Sequence, residues 1–242
     1  MTTVTTTGGV KSEIWAGLDI GTTKVCLVIA KVNPANNKNL QIIGVSQAPS
    51  TGLRKGVVIN IDATVEAIKK VREEAELMAG VKLDSVWAGV AGSHIHSFSS
   101  KGMVAIKTNE VTDNDIQRVL DASQAVALPD DRQILHLLPQ AYTVDSQEGI
   151  RDPLGMSGVR LEANVHIITG LKMSLHNISK CAERAGLHVK GLVLESLASA
   201  EACLSQDEKD LGVAVIDMGG GTCDIIVYAN GSVVHTAVLP IG

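Results

Sequence analysis

Leu18-Asp19-Ile20-Gly21-Thr22-Thr23 and Ile216-Asp217-Met218-Gly219-Gly220-Gly221 repeat one pattern: apolar strand, Asp, one apolar residue, Gly, two small residues, then another apolar strand. Ile14 to Leu18 and Val25 to Val32 flank the first copy, and Val213 to Ile216 and Ile225 to Tyr228 flank the second. A single Asp-x-Gly turn is ordinarily a tight hairpin and nothing more. Two matched copies on matched strands point instead to a paired site. Small turn residues leave backbone N–H groups facing outward, a concavity suited to anionic oxygens. At roughly 1.5–3 kcal/mol per bond to a charged group, several such amides hold a di- or triphosphate without a basic patch.

Each turn follows an acid, and a carboxylate repels phosphate unless a divalent cation lies between them. Mg²⁺ keeps its waters, so Asp19 and Asp217 are expected to orient it through water. Lys24 is expected to reach a phosphate, and the hydroxyls of Thr22, Thr23 and Thr222 to add hydrogen bonds. The expected phosphate-binding set is therefore Gly21, Thr22, Thr23, Lys24, Gly219, Gly220, Gly221 and Thr222. At Gly220 a β-branched residue is expected to block close approach and to resist positive φ. Neither turn is a Walker motif, which needs a Gly-Lys-Ser/Thr ending before a helix. Neither is a Rossmann fingerprint, because strands follow both.

Between the copies, Leu40 to Val45 reads as a third strand after a turn at Asn33-Pro34-Ala35-Asn36-Asn37, and Val57 to Ile61 as a fourth. Asp62 can cap a helix with Val65, Ile68, Val71, Ala75 and Met78 on one face, ending at Gly80. Val86 to Val90 returns as a buried strand, so the order suggests a mixed sheet covered by helices. From Ala91 the texture changes. Short strands at Ile95 to Phe98 and Met103 to Ile106 precede a helix with a Thr112…Asp115 capping box. Strands at Gln133 to Leu138 and Ala141 to Val144, a Gly-rich link from Glu148 to Gly158 and a strand at Val165 to Thr169 follow. This set reads as a small α/β insert packed independently at the edge of the first lobe. Helices at Ser174 to Ala185 and Ser196 to Leu204 enclose a strand at Gly191 to Leu194 before the second copy, and Val233 to Leu239 follows the Asn230-Gly231 turn.

A chain of 242 residues builds one large or two modest domains. Hydrophobic residues are 45% of it, yet Trp15, Trp87, Phe98, Tyr142 and Tyr228 are its only aromatics. The core must be Val, Ile, Leu and Ala, and stacking platforms for single-stranded nucleic acid are missing. A net charge of −5 gives no field for nucleic acid or anionic lipid, so no nucleic-acid partner is expected. Cys26, Cys181, Cys203 and Cys223 form no CxxC pair and read as reduced cytosolic thiols. The Thr- and Gly-rich start to Ser12 lacks the apolar region of a signal peptide and reads as a disordered tail. No stretch reaches about 18 apolar residues, the length of a membrane span.

Asp19-Ile-Gly-Thr-Thr-Lys24 and Asp217-Met-Gly-Gly-Gly-Thr222 resemble the two phosphate motifs of the actin, sugar-kinase and heat-shock-chaperone superfamily. Three further segments resemble the FtsA family: Gly52 to Ile61, Ala91-Gly-Ser-His-Ile95 running to Gly102-Met-Val-Ala-Ile106, and His136-Leu-Leu-Pro139 through Gly149 to Glu162. The resemblance implies an α/β, actin-like (ribonuclease H-like) mixed sheet with flanking helices. Residues 1–13 would be the tail, 14–90 and 168–211 subdomain 1A, 91–167 the inserted subdomain 1C, and 212–242 the start of a truncated second lobe, 2A. It further implies ATP with Mg²⁺ as ligands, polymerisation into filaments, and a link between FtsZ and the cytoplasmic face of the inner membrane at the division septum. The FtsZ site and a C-terminal membrane helix would lie beyond residue 242, and other division proteins would bind residues 91–167.

Relatives that hydrolyse ATP well often place a water-positioning acid before the connecting helix, and Glu195 stands at that position, with Ser196 where Pro is common. Local pairing or capping of a helix from Ser196 is the other reading of Glu195. The implied protein is a scaffold with at most slow ATPase activity. A small-molecule kinase or chaperone-type ATPase is the alternative, although neither a catalytic base nor a sugar cleft is evident, and vestigial turns in an interaction module are a third. His94 and His96 would share a strand face but lack a third ligand. His136 reads as fixing a turn, Arg54-Lys55 as a solvated loop pair, and Lys69 to Glu76 as the wet face of a helix.

Overall fold

The structure, a computed structural model, describes residues 3–4, 12–32 and 40–242. Of the expected tail, Thr3 and Val4 form a short strand, β1, opposite Ser12 and Glu13, while its other residues before Ser12 and the proposed Asn33–Asn37 turn lie outside the described residues.

β2 (Ser12–Ile20), β3 (Lys24–Val32) and β4 (Leu40–Pro49) form an antiparallel meander, and β5 (Leu53–Arg54) and β6 (Val57–Val58) a small hairpin. α1 (Ile61–Ala79) follows, then β7 (Ser85–Val90). β8 (His96–Ala105), α2 (Asp113–Gln124), β9 (Arg132–Val144), β10 (Gln147–Ile150) and β11 (Arg160–Leu171) come next. α3 (Lys172–Arg184), β12 (His188–Leu194), α4 (Glu195–Cys203), α5 (Gln206–Leu211), β13 (Val213–Met218), β14 (Cys223–Ala229) and β15 (Ser232–Leu239) complete the described chain.

The first sheet runs β12-β7-β2-β3-β4, parallel across β12, β7 and β2 and antiparallel beyond. Alternation along its strands puts Leu18, Ile20, Leu27, Ile29, Val86 and Ala88 into a core under α1 and α3, and turns Gly17, Asp19, Cys26 and Trp87 to the opposite face. A second, antiparallel sheet, β10-β9-β11-β8, buries β11 at its centre and packs on α2. A third, β13-β14-β15, packs one face on α4.

Several sequence expectations are corrected. Asn60, not Asp62, caps α1, because its Oδ1 accepts from Ala63 N–H at 3.1 Å. Asp62 instead faces Arg184 at 2.8 Å. The capping box at Thr112 and Asp115 and the left-handed stop at Gly80 form as read. Residues 95–106 hold one strand rather than two: Ser99 to Gly102 look turn-like but pair continuously with β11. Residues 133–144 are also one strand, and the register skips Gln140 beside Pro139, a bulge of the kind that accommodates proline. β10 occupies the start of the Gly-rich link, and α5 was not foreseen. Val57 to Ile61 is only a two-residue strand before the helix.

The second sheet and α2 enclose a core of their own around Val119, Leu161, Val165 and Ile167, and the sheet also contacts the third. It touches β15 through one buried and two partly buried hydrogen bonds: His166 Nε2 to Thr236 Oγ1 at 3.0 Å, Ser97 Oγ donating to Thr236 O at 3.0 Å, and Gln140 Nε2 donating to Val233 O at 2.9 Å.

Candidate functional site

The two sequence copies fold into turns closed by the same strand pairing and the same backbone hydrogen bond. Ile20 pairs with Val25 and Met218 with Cys223, each closing a four-residue turn in which the first glycine's N–H reaches the last residue's carbonyl at 2.9 Å. In the first turn this is Gly21 to Lys24, and in the second Gly219 to Thr222. Those two amides are therefore spent within the turns. Register extends the equivalence: Asp19 pairs with Cys26, and Asp217 with Asp224.

The turns meet. A Cβ on Gly220 would strike the Thr23 side chain, and one on Gly221 would sit 2.7 Å from Thr22 Oγ1. Among the glycines of the two turns none has a left-handed φ. The requirement for glycine at Gly220 comes from close approach, not from the positive φ that the sequence suggested.

Asp19, Lys24, Glu195 and Asp217 line one cleft of about 470 Å³, with Trp87 and Val28 on its apolar wall. Thr22, Thr23 and Gly219 to Thr222 lie outside that lining, at the contact between the turns. Glu195 is the first residue of α4, whose flanking Leu194 makes no side-chain cap, so capping of a helix from Ser196 is not its role. Its side chain lies over β7, where a Cβ on Gly89 would come within 3.0 Å of Glu195 Cγ.

Ser199, one turn further along the same helix face, donates to Asp217 Oδ2 at 2.7 Å. The helix thus offers one acid to the cleft and fixes another.

The cluster is strongly acidic. Loss of water, and then the charges of Asp19, Asp224 and Asp217, push the Glu195 carboxyl well above the usual carboxylate range. Burial raises Asp19, opposed by Lys24 and reinforced by Asp217. Burial also lifts Asp224 to about 6, against a hydrogen bond from Thr222, and its Oδ1 has no partner among the described residues. Sequence reasoning missed Asp224, Ser199 and Gly89. Extending the repeat two positions beyond Thr222 would have exposed the first of these.

Among the described residues no group of three His, Cys, Asp or Glu side chains is placed to hold a metal ion directly. His94 is not on the strand with His96 but in the preceding turn, buried, and held neutral to about pH 4 first by burial and then by Arg132. His136 fixes no turn: its Nε2 accepts from Leu194 N–H at 3.0 Å. At the β5–β6 turn, Arg54 and Lys55 are exposed, and Gly56 N–H donates to Thr22 Oγ1 at 3.3 Å. All four cysteines are free thiols. Among the described residues no helix is long and apolar enough to cross a membrane.

Residues 92–169 match the family model described as an SHS2 domain inserted in FTSA. Over 225 residues the chain is 51% identical to the cell division protein FtsA of Pseudomonas aeruginosa, covering 93% of this chain and 54% of that protein. It is 43% identical over 228 residues to FtsA of Escherichia coli, covering 94% and 54%. With FtsA of Bacillus subtilis it shares 40% over 233 residues, covering 96% and 52%. The chain thus spans about half the length of the curated relatives it matches. Among solved structures, a PilM–PilN type IV pilus biogenesis complex aligns with a TM-score of 0.64 at 18% identity, over 93% of this chain and 61% of that one. The ethanolamine utilization protein EutJ from Carboxydothermus hydrogenoformans aligns with a TM-score of 0.50 at 15% identity, over 95% and 53%. The fold is the actin-like mixed sheet with flanking helices.

Proposed function

We infer that this chain, an FtsA-family sequence, supplies the phosphate-binding half of a nucleotide-regulated, actin-like scaffold of bacterial cell division. One observation carries the reading: two register-matched turns, each following an acid, meet each other beside a cleft lined by Asp19, Lys24, Glu195 and Asp217. The proposed ligand is ATP with Mg²⁺. With Gly21 and Gly219 occupied inside their turns, the amides of Thr22, Thr23, Gly220 and Gly221 are assigned to phosphate oxygens, with Lys24 and Thr222 beside them. A cluster of carboxylates without a direct ligand triad suits a cation that keeps its waters, and Asp19 and Asp217 are assigned to orient it. Bound there, Mg²⁺ would neutralise phosphate charge and relieve the repulsion among these acids. Glu195 is assigned to hold a water, which fits at most slow hydrolysis.

The turns touch in this structure, so phosphate between them requires that β13 and β14 move relative to β2 and β3. That motion is the proposed switch, with the ATP-bound form adding end to end into filaments. We assign residues 14–90 and 168–211 to the first lobe, 91–167 to an insert that receives other division proteins, and 212–242 to the second lobe. Binding of FtsZ, and attachment to the cytoplasmic face of the inner membrane at the septum, are assigned to parts of the protein outside these residues. Calorimetry and steady-state phosphate release on the full-length protein test the reading. Mg-ATP binding that Asp217→Ala abolishes, with turnover unaffected by small sugars, is expected. Rapid sugar-dependent turnover would place the protein among the kinases of the same fold.

A further inference from the structure

The insert sheet is tied to the candidate site at three places. At its root, Gly92 lies against Gly56, so closely that a Cβ on either would meet the other's backbone, and Gly56 N–H in turn donates to Thr22 of the first turn. At its far side, the bulged Gln140 reaches Val233 O, Ser232 Oγ donates to Gln140 O at 2.9 Å, and His166 and Ser97 both meet Thr236. β15 pairs with β14 along its length and so moves with the second turn. At its centre, His136 of β9 accepts the N–H of Leu194, the residue before Glu195. Ile95, Ile168, Leu194 and Val238 close an apolar cluster around that junction.

These fastenings belong to both sides of the gap between the turns. Thr22 and Leu194 sit with the first sheet, and Thr236 and Val233 with the third. An insert held by both cannot stay unchanged while the turns part. It must follow one side and lose contacts to the other, and such a difference in contacts is what couples two sites.

The His136 bond is the most specific of the three. A backbone N–H only donates, so Nε2 is the unprotonated nitrogen and the ring is neutral with its proton on Nδ1. Burial favours that state, lowering the imidazole below its ordinary range. The bond fixes the peptide from which α4 starts, and α4 delivers Glu195 to the cleft and Ser199 to Asp217.

We propose that His136 is a positioning residue through which the insert sheet holds the start of α4, so that nucleotide occupancy and the conformation of the insert are coupled. The inference rests on the nucleotide reading above. An insert-bound protein then alters nucleotide affinity, and nucleotide alters that protein's affinity by the same factor.

The test uses the full-length protein, with wild type, His136→Phe and His136→Gln compared. Glutamine keeps an acceptor for Leu194 N–H, whereas phenylalanine fills the space without one. Mg-ATP affinity is measured by calorimetry, and amide hydrogen exchange over residues 96–105, 132–144 and 232–239 with and without Mg-ATP. In wild type Mg-ATP is expected to change exchange in these strands by at least about fivefold, the lower end of usual couplings. His136→Phe should lose most of that response, and His136→Gln should retain it within about twofold. Mg-ATP binding with unchanged exchange in the wild-type insert overturns the coupling while leaving the nucleotide reading intact. A full response in His136→Phe removes the role of His136. Failure of wild type to bind Mg-ATP in the calorimeter overturns the nucleotide reading and the coupling with it. If His136→Phe does not fold, the wild-type exchange and the His136→Gln response still decide.

Discussion

Ser199 Oγ donates to Asp217 Oδ2 at 2.7 Å, so the acid of the second turn is held by a helix that starts from the first sheet. The bond fixes the rotamer of Asp217 without adding charge. Ser199→Ala is therefore expected to weaken Mg-ATP binding about fivefold, equivalent to about 1 kcal/mol for one lost hydrogen bond. Asp217→Ala should cost far more, because it removes the charge itself. Titration calorimetry on the two variants ranks them, and equal losses would mean that Ser199 does more than orient its neighbour.

Gly220→Ala and Gly220→Val separate two explanations of the glycine. Its φ is not left-handed, so no backbone strain opposes either substitution. A side chain there meets Thr23 across the gap. Both variants are expected to fold with a melting temperature near wild type, since the turns can part, and both should bind nucleotide at least tenfold more weakly. The loss is expected because the added side chain stands between the Gly220 amide and phosphate, so pairing either with Thr23→Ala, which shortens the side chain across the gap, should leave it in place. Unfolding of Gly220→Ala would locate the requirement in the fold instead.

Stability at acid pH is expected to depend on Glu76. Its buried carboxylate accepts from Arg72 Nε and Leu83 N, both at 2.9 Å, and from Lys82 Nζ at 2.6 Å. Burial disfavours its charge, but the bonds from Lys82, Leu83 and Arg72 outweigh burial, and its carboxyl lies below the ordinary value of 4.5. A depressed folded pKa gives stability that is fully present above the unfolded pKa and is lost as pH falls through the folded one. Glu76→Ala is expected to cost about 2 kcal/mol at pH 7, because it leaves Leu83 N–H without its acceptor and removes the carboxylate from Arg72, which keeps the Ala185 and Leu83 carbonyls. The exposed Lys82 contributes little to that figure. Urea titrations at neutral pH and near pH 3 should show the two proteins converging in acid. A constant difference would mean that packing rather than charge carries the effect.

Legibility followed range in the chain. The paired turns could be read because the device is local and occurs twice, and the Thr112 box because its two partners are three residues apart. The cap of α1 was misread because Asn60 and Asp62 are both competent, and only the tertiary path selects Asn60. In sequence β8 reads as two strands because Ser99, Ser100, Lys101 and Gly102 break its apolar run. They stay extended because β11 pairs with them and α2 packs so closely that a side chain at Gly102 would strike Val119 O. Ser199 to Asp217 and His136 to Leu194 join residues 18 and 58 apart, and no local pattern announces such bonds. Asp224 is the exception: the repeat offers it as the counterpart of Cys26, two residues beyond the threonine that ends the phosphate motif.

The outer face of the third sheet gives the last prediction. Its inner face packs Val215, Ile226 and Tyr228 toward α4. Register puts Ile216, Ile225 and Ala237 together on the other side, with Met218, Cys223 and Leu239 beside them. Ile216 is 58% exposed and Met218 81%. An apolar patch on a three-stranded sheet, with β13 and β15 at its edges, favours pairing with another copy. The 242-residue polypeptide is therefore expected to self-associate as its concentration rises. Ile216→Lys with Met218→Lys places two positive charges on that face, away from the cleft side that Asp217 shares with α4, and should weaken association at least tenfold while leaving the melting temperature within a few degrees. Sedimentation velocity over a concentration series distinguishes the outcomes: a wild-type polypeptide that stays monomeric throughout, or a double variant that associates as strongly, would show that this face does not drive assembly.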